Sequence, residues 1–332
     1  MKPVAQNRPT LQALEQGIRA GSNVALAQGI TLIESQREED QKLAQQLLNA
    51  VMPHTGNAVR IGITGVPGVG KSTFIEAFGK HLTGQGKKIA VLAIDPSSGK
   101  TKGSILGDKT RMEELAKDPL AFIRPTAAGA ALGGVAYRTR EAMLLCEAAG
   151  YDVVLIETVG VGQSETAVRK MVDYFLLLML AGAGDELQGI KKGIIEMADG
   201  LVITKADGDN QKRATQAQAD FQYALHLFSL PASGVKTNVL TCSAVNNQGI
   251  AEVWRTIEHF VSTTKQNDFF ELNRSEQNIA WFEELFEQRW RQQLLKRQDV
   301  AKLKQDLEDQ LKAKNISATE AVNRMFEAVA TD

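Results

Sequence analysis

The chain has 332 residues, of which 43% are hydrophobic and 23% are charged, an ordinary composition for a folded globular protein of about two domains. Lysine and arginine together number 38 and aspartate and glutamate 39, so the net charge is −1. This balance gives no global basic field for binding nucleic acid or anionic lipid.

Several further observations favour a cytoplasmic protein. The first ten residues lack the apolar core of a secretory signal. No apolar run approaches the ~20 residues that a membrane helix needs. The two cysteines, Cys146 and Cys242, are far apart in sequence and have no metal-ligand spacing, so we expect both to be reduced.

Residues 1–55 are predicted to be helical. Leu11, Leu14 and Ile18 recur at helical spacing, and Thr10 and Ser22 are suited to cap helix N-termini. We interpret this zone as a small helical domain packed on its neighbour. A partner-binding arm is the alternative.

Residues 56–264 alternate short apolar runs with amphipathic stretches, which is typical of an α/β domain with a mostly parallel sheet covered on both faces. Predicted helices lie between predicted strands. The strands are expected at 59–64, 89–94, 153–157, 174–181, 200–204 and 238–243, and the helices at 71–82, 138–149, 211–225 and 250–263.

Residues 265–332 are charged and predicted to be helical. Large apolar side chains recur there every four residues and form one stripe, which is either core within the domain or a face for self-association. The stripe consists of Phe282, Phe286, Trp290 and Leu294, with Trp281 and Leu285 beside it.

The strongest motif is GVPGVGKST at residues 65–73, which matches the P-loop pattern G-x-x-x-x-G-K-[ST] between a predicted strand and a predicted helix. Glycines let successive N–H groups point at one phosphate, and the helix N-terminus adds its positive end. A lysine supplies charge to the outer phosphates and a serine offers its hydroxyl to Mg²⁺. The predicted nucleotide-binding residues are Gly65, Val66, Pro67, Gly68, Val69, Gly70, Lys71, Ser72 and Thr73.

Three acidic residues are candidates for the magnesium site, together with Ser72. Asp95 and Glu157 end predicted strands, where open α/β sheets bind ligands, and Asp108 lies in a polar, glycine-rich segment. In P-loop enzymes the carboxylate on the strand beside the P-loop faces the metal. We therefore predict Lys71 and Glu157 as the catalytic residues. Gly160 is placed to meet the γ-phosphate, and Gln163 is the nearest residue able to orient a water.

Guanine selectivity is predicted from Lys205 and Asp207 in the segment Thr-Lys-Ala-Asp, residues 204–207. A carboxylate there accepts from the N1–H and the exocyclic amine of guanine, and adenine has no such donor pair. The pattern is close to N-K-x-D of GTPases, with Thr204 replacing asparagine, a change that we expect to weaken the bracing of the base loop. Ser243, Ala244 and Val245 complete the predicted base site.

These segments resemble those of the MeaB/ArgK family, the GTPase chaperones of methylmalonyl-CoA mutase, and the similarity extends over nearly the whole chain. The most specific strings are GSILGDKTRM at 103–112 and GDELQGIKKGI at 184–194. The others are GVPGVGKST, IDPSS at 94–98 and ETVGVGQSE at 157–165.

The resemblance implies a homodimeric GTPase that uses GTP/GDP and Mg²⁺ and binds a cobalamin-dependent methylmalonyl-CoA mutase, gating its cofactor loading and protecting it. It also implies that the C-terminal helices form much of the dimer contact, and that Asp95, Asp108 and Glu157 are the magnesium-site carboxylates. Gly99-Lys100 departs from the family pattern. Residues 182–194 resemble the family's mobile switch, with Gly182, Gly184, Asp185, Glu186, Gln188, Lys191 and Lys192 as its candidate residues.

Two other functions remain open from the sequence. A metal-insertase nucleotidase would share the P-loop, but the four histidines are scattered singly and form no cluster with the cysteines. A small-molecule kinase would use Lys71 and the magnesium carboxylates, but would need a substrate pocket in place of Lys205 and Asp207.

Overall fold

The computed structural model describes residues 9–95, 112–127, 132–158, 164–182 and 192–330. The chain divides into two compact units, Met1–Leu272 and Asn273–Asp332. Within the described ranges, every helix is too short or too polar to cross a bilayer.

The first unit is built on seven strands. In chain order they are β1 (Val59–Gly65), β2 (Ile89–Asp95), β3 (Ala121–Ala127), β4 (Val153–Thr158), β5 (Tyr174–Leu180), β6 (Gly200–Thr204) and β7 (Asn238–Thr241). Their spatial order is β3-β2-β4-β1-β5-β6-β7, and neighbouring strands are parallel throughout. The α/β fold predicted from the sequence is therefore confirmed, with β1 at the centre of the sheet.

Twelve α-helices accompany the strands in the described part of the chain. They are α1 (Leu11–Arg19), α2 (Asn23–Glu34), α3 (Glu38–Val51), α4 (Lys71–Gly84), α5 (Leu132–Ala148), α6 (Ser164–Arg169), α7 (Lys192–Met197), α8 (Gln211–Leu225), α9 (Ile250–Gln266), α10 (Phe269–Lys296), α11 (Gln298–Lys312) and α12 (Ala318–Ala330).

Helices cover both faces of the sheet, as its apolar strands require. On one face, Ile61 and Ile63 of β1 join a buried cluster with Phe78 of α4 and Trp254 of α9. On the other face, Gly62 lies under α6, where a β-carbon would approach Val168 Cγ1 to 2.7 Å. A glycine at this central position therefore lets the short helix α6 sit directly on β1.

The N-terminal helices pack on the sheet domain and belong to the same compact unit. The two predicted caps are confirmed: Thr10 Oγ1 accepts from Ala13 N at 3.2 Å, and Ser22 Oγ accepts from Ala25 N at 3.3 Å. Helices α2 and α3 contact α5. Arg124 of β3 adds an ion pair to Glu34 of α2 at 2.6 Å.

One strand was not predicted, and several bounds differ. Strand β3 has the sequence AFIRPTA, in which arginine and proline obscure the strand pattern. It tolerates proline because it is an edge strand, paired with β2 alone. Strand β7 ends at Thr241, before the predicted end, because Ser243 instead forms an antiparallel bridge with Gln248. Helix α5 begins at Leu132, six residues before its predicted start.

The second unit contains most of α10 together with α11 and α12, which pack against each other. Val300 and Leu307 of α11 and Ala321 of α12 are buried. On α10, Phe282, Phe286 and Trp290 are exposed, with relative exposures of 66%, 58% and 54%. Their rings stack in succession, at centroid distances of 6.3 and 6.1 Å. These three side chains are therefore not core of the single chain.

Candidate nucleotide-binding site

The P-loop leaves β1 at the carboxyl edge of the sheet and enters α4. Gly65, Gly68 and Gly70 have φ angles of 153°, 81° and 95°, which non-glycine residues rarely adopt. A β-carbon at Gly65 would lie 2.5 Å from the backbone oxygen of Leu178, whereas one at Gly68 would have nothing within 4 Å. The first glycine is thus required by close packing on β5, and the second lies in an open part of the loop.

Lys71 begins α4 and folds back over the P-loop. Its Nζ donates to the backbone oxygens of Gly65 at 2.7 Å and Val66 at 3.3 Å. Burial lowers the pKa of this lysine, and the negative charges of Glu157 and Glu165 oppose that effect. The ammonium group is therefore held inside the loop, where it can bind phosphate oxygens.

Ser72 and Glu157 are brought together from α4 and β4. Ser72 Oγ donates to Glu157 Oε1 at 3.3 Å, and Glu157 is only 5% exposed. A hydroxyl and a carboxylate beside a P-loop are the hard oxygen ligands that Mg²⁺ prefers, so this pair fits a magnesium-bound nucleotide.

The other two predicted magnesium ligands are only partly placed. The backbone of Asp95 ends β2, beside β4, and places this residue at the same edge as Glu157. Its carboxylate and the whole of Asp108 lie outside the described residues, as do Gly99-Lys100, Gly160 and Gln163. Among the described side chains, no group of three or more His, Cys, Asp or Glu is arranged to hold a metal ion.

Thr204 joins the end of β6 to the P-loop. Its hydroxyl lies 2.7 Å from the backbone oxygen of Val69 and 3.2 Å from that of Met179. Thr204 is buried, so these hydrogen bonds form away from water. The threonine hydroxyl therefore links the end of β6 to the P-loop backbone; its effect on the bracing of the base loop stays a prediction.

Lys205 follows in a left-handed conformation, with φ of 56°. Its Nζ donates to the backbone oxygen of Gly68 at 2.9 Å. Asn210 supports this conformation, since its side-chain amide donates to the Lys205 backbone oxygen at 2.8 Å. Asn210 was not predicted as a site residue; its only sequence signal is a polar amide soon after the Thr-Lys-Ala-Asp segment.

Asp207 and Ser243 meet where β6 and β7 end. The Ser243 hydroxyl donates to Asp207 Oδ2 and also accepts from Asn246 N at 3.2 Å. Ala244 follows, and Val245 is 79% exposed. The structure therefore brings the two predicted base-binding segments together and leaves an apolar side chain exposed beside them.

Most of the predicted switch falls outside the described residues. Gly182 is described, with φ of 91° and open space where a β-carbon would stand. The backbone of Lys192 begins α7. Gly184, Asp185, Glu186, Gln188 and Lys191 lie outside the described ranges.

Glu165 was present in a quoted motif but was given no role. It lies in the first turn of α6, is 2% exposed, and its charge acts on Lys71. Sequence spacing alone did not indicate this proximity, because it depends on how α6 packs back onto β1.

Comparison with known proteins identifies the chain's relatives. A "Putative GTPase" of Caulobacter vibrioides is 50% identical over 96% of this chain and 97% of its own length. "Methylmalonic aciduria type A homolog, mitochondrial" of mouse is 46% identical over 83% of this chain and 69% of its own length. A solved structure titled "LAO/AO transport system kinase" superposes with a TM-score of 0.79 at 39% identity, covering 98% of this chain and 99% of that one.

A family model described as "Methylmalonyl Co-A mutase-associated GTPase MeaB" matches residues 26–299. This range contains the P-loop, Glu157, the Thr-Lys-Ala-Asp segment and the Ser243 loop. The predicted resemblance is confirmed: the chain is a P-loop GTPase and belongs to the MeaB family of methylmalonyl-CoA mutase-associated GTPases.

Proposed function

We propose that this GTPase is a chaperone of a cobalamin-dependent methylmalonyl-CoA mutase, in which GTP binding and hydrolysis gate the loading of the mutase cofactor and protect the mutase. The observation that carries the proposal is family membership over residues 26–299, combined with a P-loop and a base site that meet at one edge of the sheet. Relatives from mouse and two nematodes are named methylmalonic aciduria type A homologs, and these names support the same function.

For hydrolysis, we propose that the P-loop positions the triphosphate and Lys71 stabilises negative charge on the transferring phosphoryl group. The lysine now bonded to Gly65 and Val66 oxygens would exchange these carbonyls for phosphate oxygens. This interaction is stronger in the transition state, as charge develops on the phosphoryl oxygens. No arginine finger or catalytic glutamine is assigned, so we expect slow basal turnover.

Ser72 and Glu157, with Asp95 and Asp108 as predicted additions, would hold Mg²⁺. When bound, the metal ion neutralises charge on the β- and γ-phosphates. The contribution of the chain itself is to hold the hydroxyl of Ser72 next to the Glu157 carboxylate, so that both oxygens face one position beside the P-loop.

For base selection, we propose that Asp207 accepts both donors on the edge of guanine. Ser243, which donates to the Asp207 carboxylate, would fix its orientation. The alkyl stem of Lys205 would lie against the purine plane, and Ala244 and Val245 would line the remaining side.

The nucleotide state would be reported to the mutase by residues 182–194, the predicted switch. The sequence of this segment has glycines at 182, 184, 189 and 193, the residue type that restricts the backbone least, and charges at Asp185, Glu186, Lys191 and Lys192 that suit pairing with a partner.

The proposed assembly is a homodimer formed by the second unit. Phe282, Phe286 and Trp290 give α10 an exposed aromatic face, and aromatic side chains are enriched in protein interfaces. A two-fold axis would place the same face of the partner chain against this one.

The test uses the purified protein and its cognate methylmalonyl-CoA mutase. Binding should require a GTP analogue, and the mutase should raise the GTPase rate. Glu186→Ala and Lys192→Ala should leave GTP affinity nearly unchanged but reduce that stimulation and the control of cobalamin loading several-fold, the usual size of a coupling between sites.

Lys302→Ala, an exposed substitution in α11, is the control for loss of a surface charge. If the mutase neither bound nor changed the GTPase rate, the chaperone role would be wrong. If it bound and both switch variants behaved as wild type, the role of residues 182–194 would be given up.

A further inference from the structure

A pair of buried threonines joins β1 to β4 at the carboxyl edge of the sheet. Thr158 Oγ1 donates to Thr64 Oγ1 at 2.9 Å and lies 3.5 Å from the backbone oxygen of Ile63. The relative exposure of Thr158 is 0% and that of Thr64 is 2%. Hydroxyl groups buried this completely are held by hydrogen bonds. The hydrolysis proposed above gives neither of them a role.

The pair lies where β1 and β4 separate. The backbone pairing of these two strands ends at Ile63, opposite Glu157. Beyond that point, β1 stays paired with β5 as far as Gly65, and β4 stays paired with β2 as far as Thr158. The hydroxyl–hydroxyl bond therefore links the two strands one residue past the end of their backbone pairing.

The residues next to this bond belong to the nucleotide site. Thr64 precedes Gly65, the first residue of the P-loop, and Thr158 follows Glu157. Successive side chains of a strand point to opposite faces of the sheet, so the Thr158 hydroxyl and the Glu157 carboxylate lie on opposite faces. Glu157 accepts from Ser72 Oγ of α4 at 3.3 Å. A bond that fixes Thr158 therefore fixes the backbone that carries Glu157.

We propose that Thr158 and Thr64 are positioning residues, whose hydroxyl bond holds Glu157 at the distance from Ser72 that a magnesium-bound nucleotide requires. Without this bond, the end of β4 is held by β2 alone, and the carboxylate is free to shift away from the P-loop. The P-loop would still bind the phosphates. The proposal rests on the assignment above of Ser72 and Glu157 to the magnesium site, and it is independent of the mutase partner.

The experiment measures the affinity of the protein for a fluorescent GDP analogue, once with Mg²⁺ and once with EDTA. The ratio of the two affinities is the contribution of the metal ion. Thr158→Val keeps the shape of the side chain but removes the donor, so this ratio should fall about threefold to tenfold, the range of one hydrogen bond. The affinity in EDTA should stay near wild type. Thr158→Ser keeps the hydroxyl and should keep the wild-type ratio.

Thr264→Val is the matched control. Thr264 of α9 is 0% exposed, and its hydroxyl donates to the backbone oxygen of Phe260 at 2.8 Å. The control also removes a buried hydroxyl, so it should lower the free energy of unfolding without changing the ratio. Thr64→Val removes the acceptor and should reproduce the effect of Thr158→Val. The double valine variant should lose no more than the more affected single variant, because the two hydroxyls form one interaction.

Several results would overturn the positioning role: an unchanged ratio in folded Thr158→Val and Thr64→Val proteins, losses that add in the double variant, or an equal fall of affinity with Mg²⁺ and with EDTA. Failure of both single variants to fold would also overturn it, because the pair would then serve stability. Equal binding of GDP by the wild-type protein with and without Mg²⁺, or a wild-type ratio in Glu157→Ala, would instead show that the proposed magnesium site is wrong, and this role with it.

Discussion

Lys71 contacts the backbone of the P-loop, donating to the oxygens of Gly65 and Val66. Lys71→Ala should abolish GTP hydrolysis, because no other charge of the P-loop can stabilise the transferring phosphoryl group. Phosphate release from GTP is the measurement. Lys80→Ala, on the exposed face of the same helix, should hydrolyse GTP normally. Normal turnover by the Lys71 variant would remove the P-loop from the mechanism.

Asp207 carries the proposed discrimination between guanine and adenine. Asp207→Asn should lower GTP affinity by roughly 1–3 kcal/mol, because a charge-assisted pair is replaced by a weaker and partly mismatched one. Calorimetric titration with GTP and ATP measures this. Asp209→Asn, two residues away and exposed, is the control. Equal affinity of the wild-type protein for GTP and ATP would contradict the guanine assignment.

Thr204 connects the base loop to the P-loop through one hydroxyl group, with Val69 and Met179 oxygens as its acceptors. Thr204→Val keeps the shape but leaves the buried carbonyls without this donor. Guanine-nucleotide affinity should fall by about 0.5–1.5 kcal/mol. Thr204→Ser retains the hydroxyl and should bind nearly as wild type. If the valine and serine variants bound equally well, the hydroxyl would have no bracing role.

At the scale of single residues, site residues that directly follow strands could be predicted from the sequence. Site residues that come together only through the packing of helices could not. Asp207 was predicted because its segment, which follows a strand, is close to N-K-x-D of GTPases, and Ser243 was predicted because it ends the next predicted strand of the same sheet. Glu165 was not, because its position depends on α6 lying directly on Gly62. Asn210 acts on a backbone oxygen, and sequence patterns do not specify such contacts.

Among the secondary-structure elements, helix α6 packs on Gly62 of β1 and is held at its C-terminal end by an ion pair. Arg169 forms an ion pair with Asp199, which precedes β6, at 3.2 Å. Asp199 also accepts from the backbone N–H of Phe175, at 2.8 Å. The pair joins the helix that follows β4 to the strand that leads into the base loop. It lies at the amino edge of the sheet, away from the P-loop.

Asp199 makes the stability of this junction depend on pH. Burial raises its pKa to about 6, with Asp173 adding to the increase, while Arg169 and the Phe175 N–H oppose it. The folded protein therefore binds a proton more tightly than the unfolded chain does. The unfolding free energy should fall as pH rises from about 4 to about 6, by on the order of 3 kcal/mol, and then level off.

Asp199→Asn removes this titration, while its amide oxygen still accepts from the Phe175 N–H. Urea unfolding at pH 5 and pH 7 is the measurement, and the difference between the two pH values should shrink in the variant. Asp152→Asn is an unsuitable control, because its carboxylate accepts from Lys88 N; Asp209→Asn serves instead. An unchanged pH difference in Asp199→Asn would show that another group titrates.

The elements themselves were predictable where the hydrophobic pattern was uninterrupted. Strands β1, β4, β5 and β6 are buried along nearly their whole length, and such apolar runs between helices predict a parallel sheet. Strand β3 was missed because one edge of the sheet tolerates arginine and proline. Its place as a strand is set by pairing with β2, a tertiary interaction that its own sequence does not specify.

At the scale of the whole molecule, the sequence left two possible roles for the aromatic stripe of α10, a buried core and an interface between chains. The spacing of its residues is equally typical of both. In the structure, Phe282, Phe286 and Trp290 are each more than half exposed, which supports the second interpretation. Fully burying an apolar side chain of this size contributes about 1.5–3 kcal/mol of favourable free energy.

Phe286 lies between its two stacked neighbours, Phe282 and Trp290, and is therefore the most informative position in the proposed dimer interface. A two-fold symmetric dimer contains Phe286→Ser twice, so the loss of dimerisation free energy is counted twice. Two buried phenylalanines at about 1.5–3 kcal/mol each should weaken dimerisation by at least about 100-fold. Sedimentation equilibrium over a range of concentrations measures the change.

Leu230→Ser is the matched control for this prediction, because Leu230 is also exposed, at 60%, but belongs to the first unit. It should leave the association state unchanged. The Phe286 variant should keep its GTP affinity, since the P-loop and the base site lie wholly within the first unit. A wild-type chain that sediments as a monomer, or a Phe286→Ser chain that remains dimeric, would place the aromatic stripe outside the dimer contact.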